Sequence, residues 1–125
     1  MDVTETKKRI LIVDDEMIHR MGLRDRLEAA DYEVHSAAGG KEAIELVQQV
    51  DFDLIILDLL MPPPNGFMVF RCLKKLSVVG RIPILILTVV GLEPQVAALL
   101  QKGAHYMQKS EAPLRIVSKV RELIG

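Results

Sequence analysis

Polar side chains stand where apolar segments of the sequence end. Asp14 and Asp15 follow the first apolar run, and Asp58 follows the second. Thr88 follows the third run, and Lys109 follows a weaker segment that also reads as a strand. If these segments are neighbouring parallel strands, their carboxyl ends meet at one edge of a sheet, where open parallel sheets bind ligands. We therefore expect these five side chains to form one site.

The residue types in this group indicate a divalent cation and a phosphoryl group. Asp14, Asp15 and Asp58 would form a like-charge cluster, which costs free energy unless a cation lies among them. Oxygen ligands favour Mg²⁺ over zinc, which would take His or Cys ligands that these strand ends lack. With Thr88 and Lys109 nearby, such a site could neutralise phosphoryl oxygens and donate hydrogen bonds to them.

Three apolar runs without polar alternation predict strands that are buried on both faces, as in a parallel sheet covered by helices. Segments of helical period lie between and after them. Ser110 is the expected N-cap of the last helix, and Gly103 suits the C-terminal cap of the fourth. The predicted strands are 10–13, 32–37, 54–57, 82–87 and 106–108, and the predicted helices are 17–30, 41–49, 68–76, 94–102 and a last one after residue 110.

The fourth predicted helix is apolar almost all round, which is more than one buried face requires. We assign Ala97 and Leu100 to the core. Leu99 could equally pack in the core or reach a partner surface.

The order of elements is five β-α units with short connections, which is typical of a doubly wound α/β fold. The length of 125 residues fits one domain spanning 1–125 and is too short for an eight-fold β/α barrel. Half of the residues are hydrophobic, and 16 Lys and Arg against 17 Asp and Glu give a net charge of -1. This balance argues against direct nucleic-acid binding.

Cellular context is indicated by segments that the sequence lacks. No apolar run reaches the length of a membrane span, and the first residues do not resemble a secretory signal. Cys72 is the only cysteine, so no internal disulfide can form. We expect a cytoplasmic protein that does not bind a membrane.

The residues around Asp58 carry a family resemblance. Asp58 is followed by Met-Pro at the third and fourth places and by Asn-Gly at the seventh and eighth. Together with the acidic pair, Thr88, Tyr106 and Lys109 at their spacings, this motif resembles the receiver domain of bacterial two-component response regulators over about residues 8–124. The resemblance implies a flavodoxin-like five-stranded parallel sheet of order 2-1-3-4-5 with five helices.

The resemblance also implies roles for the acidic residues. Asp58 would accept a phosphoryl group from a phosphohistidine on a sensor histidine kinase or a histidine phosphotransfer protein. Asp15 would bind Mg²⁺ directly, with Mn²⁺ as an alternative, and Asp14 would act through water. Leu60 would supply its backbone carbonyl to the metal.

The remaining roles concern signalling. Thr88 would donate its hydroxyl to the phosphoryl group, and Lys109 would pair with Asp58 before transfer and with the phosphoryl group after it. Tyr106 would follow the movement of Thr88 on a face formed by the fourth helix, fifth strand and fifth helix. That face would control a downstream protein or an attached output domain, and relatives often dimerise through it. The chain would be a phosphoacceptor regulator rather than a turnover enzyme.

Several positions depart from the family pattern. Val89 stands where a small residue is usual. Ser110 replaces the proline whose cis bond commonly turns the lysine inward, and since a cis bond before serine costs about 2.5–4 kcal/mol, we expect a trans bond after Lys109. Leu60 and Val90 are apolar at positions that govern water access, so we expect slow hydrolysis of the acyl phosphate.

Three alternative functions remain at this point. A binding module of the same fold that is never phosphorylated is favoured slightly by Val89 and Ser110. A flavin carrier would need a glycine- and hydroxyl-rich phosphate loop where residues 14–16 are acidic. A phosphatase of the haloacid-dehalogenase type would need a second Asp where Leu60 stands.

Overall fold

Strands and helices alternate along the chain in the computed structural model, which describes residues 6–76 and 80–125. The elements are β1 (Arg9–Val13), α1 (Met17–Ala29), β2 (Glu33–Ala37), α2 (Gly40–Val47), β3 (Leu54–Leu57), α3 (Gly66–Lys75), β4 (Ile84–Thr88), α4 (Pro94–Gln101), β5 (His105–Gln108), a 3₁₀ helix (Lys109–Glu111) and α5 (Ala112–Ile124).

The five strands form one parallel sheet of order β2-β1-β3-β4-β5, which confirms the predicted topology. Val13 pairs with Leu57, and Leu57 pairs with Ile86, so the three central strands are in register near their carboxyl ends. The residues that follow these strands are therefore held side by side.

The sheet separates two hydrophobic layers. Leu11 and Val13 point into the layer that α2, α3 and α4 cover, whereas Ile10 and Ile12 point into the layer under α1 and α5. All four side chains are fully buried, and each contributes about 1.5–3 kcal/mol of hydrophobic stabilisation. The β-branched runs without polar alternation thus lie in a sheet covered on both faces, as predicted.

The end of α4 follows its prediction, and the beginning of α5 does not. Gly103, directly after α4, has a φ of 98°, a left-handed conformation that glycine adopts without strain. Ser110 was expected to cap the last helix, but it is exposed within the 3₁₀ helix. A capping box of Gln108 and Glu111 begins the 3₁₀ helix, and α5 follows it directly from Ala112, with Glu111 at its N-cap position and no side-chain cap.

The buried face of α4 also differs from its prediction. Val96 and Leu99 are the buried residues, whereas Ala97 and Leu100 are only partly buried. Leu100 nevertheless packs against the core layer that α4 covers, as assigned, whereas the assignment of Ala97 to the core was wrong. With apolar residues almost all round the helix, periodicity does not select a face, and packing against the sheet decides it.

Candidate functional site

Two buried carboxylates lie side by side at the carboxyl edge of the sheet. Asp14 follows β1 and Asp58 follows β3, and the two residues are only 2% and 3% exposed. The backbone N–H of Asp58 donates to the carbonyl of Val13 at 3.0 Å, and that of Asp14 donates to Ala37 at 3.1 Å. The sheet ladder thus continues one residue beyond each strand and fixes both carboxylates.

The Lys109 ammonium lies among the carboxylates. Its Nζ is 2.9 Å from Asp58 Oδ2, 3.0 Å from Asp14 Oδ2 and 2.6 Å from Glu16 Oε1. The Lys109–Ser110 bond is trans, as expected, because the cis bond in the described part of the chain is Pro63–Pro64. Lys109 begins the 3₁₀ helix and reaches the site from there.

These contacts shift the pKa values of both partners toward their charged forms. Burial lowers the pKa of Lys109, but hydrogen bonds to Glu16, Asp58 and Asp14 outweigh it and raise that pKa. Burial likewise raises the pKa of Asp14, yet hydrogen bonds from His19, the Glu16 backbone and Lys109 leave it below its usual range. The site therefore holds a network of charged groups.

Glu16, His19 and Arg20 belong to the site, although the sequence pattern did not predict a role for them there. His19 Nδ1 lies 2.5 Å from Asp14 Oδ2, and Arg20 donates to the Asp14 carbonyl at 2.6 Å. The Glu16 N–H donates to Asp14 Oδ1 at 2.9 Å. The acidic run 14–16 is a sequence signal that could have indicated Glu16 as part of the site. His19 and Arg20 reach Asp14 only because of the direction in which α1 runs.

The carboxylate cluster fits a hard divalent cation. Asp14, Glu16 and Asp58 each offer an oxygen, and these atoms lie within 4.8 Å of one another. An all-oxygen donor set is the one Mg²⁺ prefers. Asp15 is exposed and stands outside this cluster among the described residues; it borders an open groove of about 520 Å³ beside the Pro62–Pro64 loop.

The segment after Asp58 shapes the site through the backbone. The Leu60 N–H donates to Asp58 Oδ1 at 3.2 Å, and Leu60 is 51% exposed. Asn65 caps α3 by accepting from the Met68 N–H at 3.0 Å. A Cβ at Gly66 would overlap the Asp58 carbonyl and lie 2.5 Å from the Leu59 Cα, so only glycine allows α3 to begin this close to Asp58.

Thr88 and Tyr106 are linked through Val90. Thr88 ends β4 fully buried, and its Oγ1 accepts from the Val90 N–H at 3.4 Å. The Tyr106 hydroxyl donates to the Val90 carbonyl at 2.5 Å from the neighbouring strand β5. Val89 is 64% exposed, so its side chain points away from the core.

The family follows from comparison with known proteins. The sequence model of the response regulator receiver domain matches residues 10–121. The chain belongs to this family. Its membership assigns the chain to two-component signalling and confirms the resemblance drawn from the sequence motif.

Individual relatives agree with this assignment. The receiver domain is 38% identical over 119 residues to "Probable transcriptional regulator ycf27" of Cyanophora paradoxa, covering 94% of this chain and 48% of that protein. Chemotaxis protein CheY4 of Vibrio cholerae matches with a TM-score of 0.87 and 29% identity, over 94% of this chain and 99% of that one. Response regulator TrrA of Thermotoga maritima, solved in complex with Mg²⁺-BeF, matches with a TM-score of 0.81 and 31% identity, over 93% and 98% of the two chains.

The receiver domain spans about half the length of the curated relatives it matches. Within residues 6–76 and 80–125, no helix combines the length and apolarity needed to cross a membrane.

Proposed function

We propose that this receiver domain is a phosphorylation-dependent switch in which Asp58 accepts a phosphoryl group from a phosphohistidine. The observation that carries the proposal is the buried Asp58 carboxylate with the Lys109 ammonium 2.9 Å away. A buried nucleophile beside a fixed cation at a sheet edge suits phosphoryl transfer, where charge stabilisation supplies most of the catalysis.

In the proposed transfer, one Asp58 carboxylate oxygen attacks phosphorus. The P–O bond to Asp58 forms as the P–N bond to the donor imidazole breaks, and the imidazole nitrogen keeps the electron pair and takes a proton from solvent. Asp14, Glu16 and Asp58 are the carboxylates that would hold the Mg²⁺ or Mn²⁺, and by family resemblance Asp15 and the Leu60 carbonyl would join them. The cation supplies charge neutralisation for the phosphoryl oxygens.

The acyl phosphate would change the balance of charge at the site. A phosphoryl group adds about -1.5 to -2 charges, so the state in which Lys109 and Thr88 donate to it gains free energy. The hydrogen-bonded path from Thr88 through Val90 to Tyr106 supports transmission of this change to β5. The outcome would be a population shift of the α4-β5-α5 face.

The partners follow from the same proposal. A sensor histidine kinase or histidine phosphotransfer protein would donate the phosphoryl group in the cytoplasm. The α4-β5-α5 face would act on a downstream protein, an attached output domain or a second copy of the chain. The domain would regulate rather than turn over a substrate.

Intact-mass measurement tests the proposal. The protein is incubated with Mg²⁺ and acetyl phosphate, beside Asp58→Asn, an EDTA control and Asp51→Asn, a matched change at an exposed aspartate. We expect one added phosphoryl group in the wild type and Asp51→Asn, and none in Asp58→Asn or with EDTA. The acyl phosphate on the wild type should decay slowly, because Leu60 and Val90 are apolar at positions that govern water access. Failure with every donor, phosphohistidine proteins included, would instead favour a phosphorylation-independent binding module.

A further inference from the structure

A groove of about 370 Å³ lies between α3 and α4, away from the carboxylate site. Phe67 and Phe70 of α3 and Leu99 of α4 supply its apolar floor. Phe70 and Leu99 are buried, and Phe67 is partly exposed. On each helix, the residues that line the groove are three or four positions apart in the sequence and so lie on one face. The walls of the groove are therefore one face of α3 and one face of α4.

The rim of the groove carries only positive charge. Arg71, Lys74 and Lys75 come from α3, and Lys102 follows α4. No carboxylate lines the groove, and none of the four cations forms an ion pair with another described residue. Lys74 Nζ lies 5.5 Å from the centre of the Phe70 ring, which holds its charge over the floor.

Some cations elsewhere on the helical surface are paired with a neighbouring carboxylate. On α1 and α5, Arg24 and Arg115 are neutralised by glutamates one turn away, at 3.2 Å and 3.0 Å. Four unpaired cations around one groove therefore make a local positive potential in a chain whose net charge is -1. An acidic partner would be attracted by the rim and held by the floor.

We propose that the groove between α3 and α4 docks an acidic amphipathic helix of a partner protein. The α3 face from residue 67 to residue 75 spans about 12 Å, so the bound segment is a helix of two to three turns. Its apolar residues, spaced i, i+3 or i+4 and i+7, face the floor, while Asp and Glu on both flanks meet the rim. The proposal is independent of phosphorylation at Asp58.

A designed peptide provides the test. The probe is a helical peptide of about 14 residues with leucines at i, i+3, i+4 and i+7 and glutamates on both flanks, which is longer than the groove. Amide chemical shifts of the isotope-labelled protein report the binding position, and fluorescence anisotropy gives Kd at several salt concentrations. We expect shifts confined to 67–75 and 95–102, with affinity that weakens as salt rises.

Charge-reversed variants separate specific docking from general attraction. Lys74→Glu with Lys102→Glu should raise Kd about tenfold, since two attractions become repulsions. Lys41→Glu with Arg121→Glu changes the net charge equally at exposed residues outside the groove and should leave Kd unchanged. Thermal unfolding of both double variants checks that they are folded.

Other outcomes would overturn the proposal. These are no shift changes, equal binding by a peptide with lysines in place of the glutamates, or equal loss of binding in both double variants. Binding of phosphatidylserine vesicles or DNA through the same cations, without binding of the peptide, would identify a general anion-binding surface instead.

Discussion

At the residue scale, Lys109 provides the positive charge that three carboxylates share. Its side chain is 9% exposed and contacts Asp14, Glu16 and Asp58 within 3.0 Å. A buried carboxylate that loses its partner keeps its desolvation cost without compensation. Lys109 should therefore stabilise the fold as well as serve the proposed transfer.

Replacing Lys109 with methionine tests this double role. We expect Lys109→Met to lower the free energy of unfolding by about 1–3 kcal/mol, measured by urea denaturation in EDTA. Lys7→Met, which removes an exposed ion pair with Asp31, should cost less than about 0.5 kcal/mol. Equal effects of the two changes would contradict the account.

The lowered pKa of Asp14 predicts a pH-dependent contribution to stability. A carboxyl whose pKa is lower in the folded state stabilises the protein above its unfolded pKa of about 4, and this contribution is lost as pH falls through the folded value. Asp14→Asn should thus be less stable than the wild type at pH 7 in EDTA, and the difference should shrink below about pH 4. Urea denaturation across this range would show it; a constant difference would contradict the assignment.

At the element scale, the start of α3 depends on the absence of a side chain. The Gly66 N–H donates to the Leu59 carbonyl at 3.0 Å, and a Cβ would meet the backbone beside Asp58. Gly22, in the middle of α1, is a matched contrast. A Cβ there would meet only the Arg26 side chain, at 3.5 Å, an ordinary contact.

The same substitution at these two glycines should have opposite effects. Gly66→Ala should destabilise the protein by about 1–3 kcal/mol, because the backbone must move. Gly22→Ala should stabilise it by about 0.5–1 kcal/mol, since alanine favours the helix interior. Thermal unfolding of the two variants provides the comparison, and destabilisation by Gly22→Ala would count against it.

Local patterns predicted the elements well where each pattern allowed one solution. The run at 54–57 gave the bounds of β3, and Gly103 marked the end of α4. Where several solutions satisfied the pattern, the prediction failed. Both Ser110 and Glu111 could begin a helix, and α4 offered apolar residues on every side.

At the scale of the whole molecule, the carboxylate site joins residues that are far apart in the sequence. The sequence predicted the placement of Asp14, Asp58 and Lys109 together because each follows a strand of a parallel sheet. It did not predict the contacts of His19 with Asp14, since these depend on the angle at which α1 leaves β1. The α3-α4 groove could not be predicted from the sequence either, because it forms only when both helices pack on the sheet with these two faces next to each other.

The phosphoryl group should be found on Asp58, and chemical trapping can locate it. Treating the phosphorylated protein with borohydride converts the acyl phosphate to a stable alcohol, and peptide mass spectrometry then locates it. We expect the alcohol at position 58 alone. An alcohol derived from Asp14, Asp15 or Glu16, or a phosphorylated His19 in the untreated protein, would contradict this assignment.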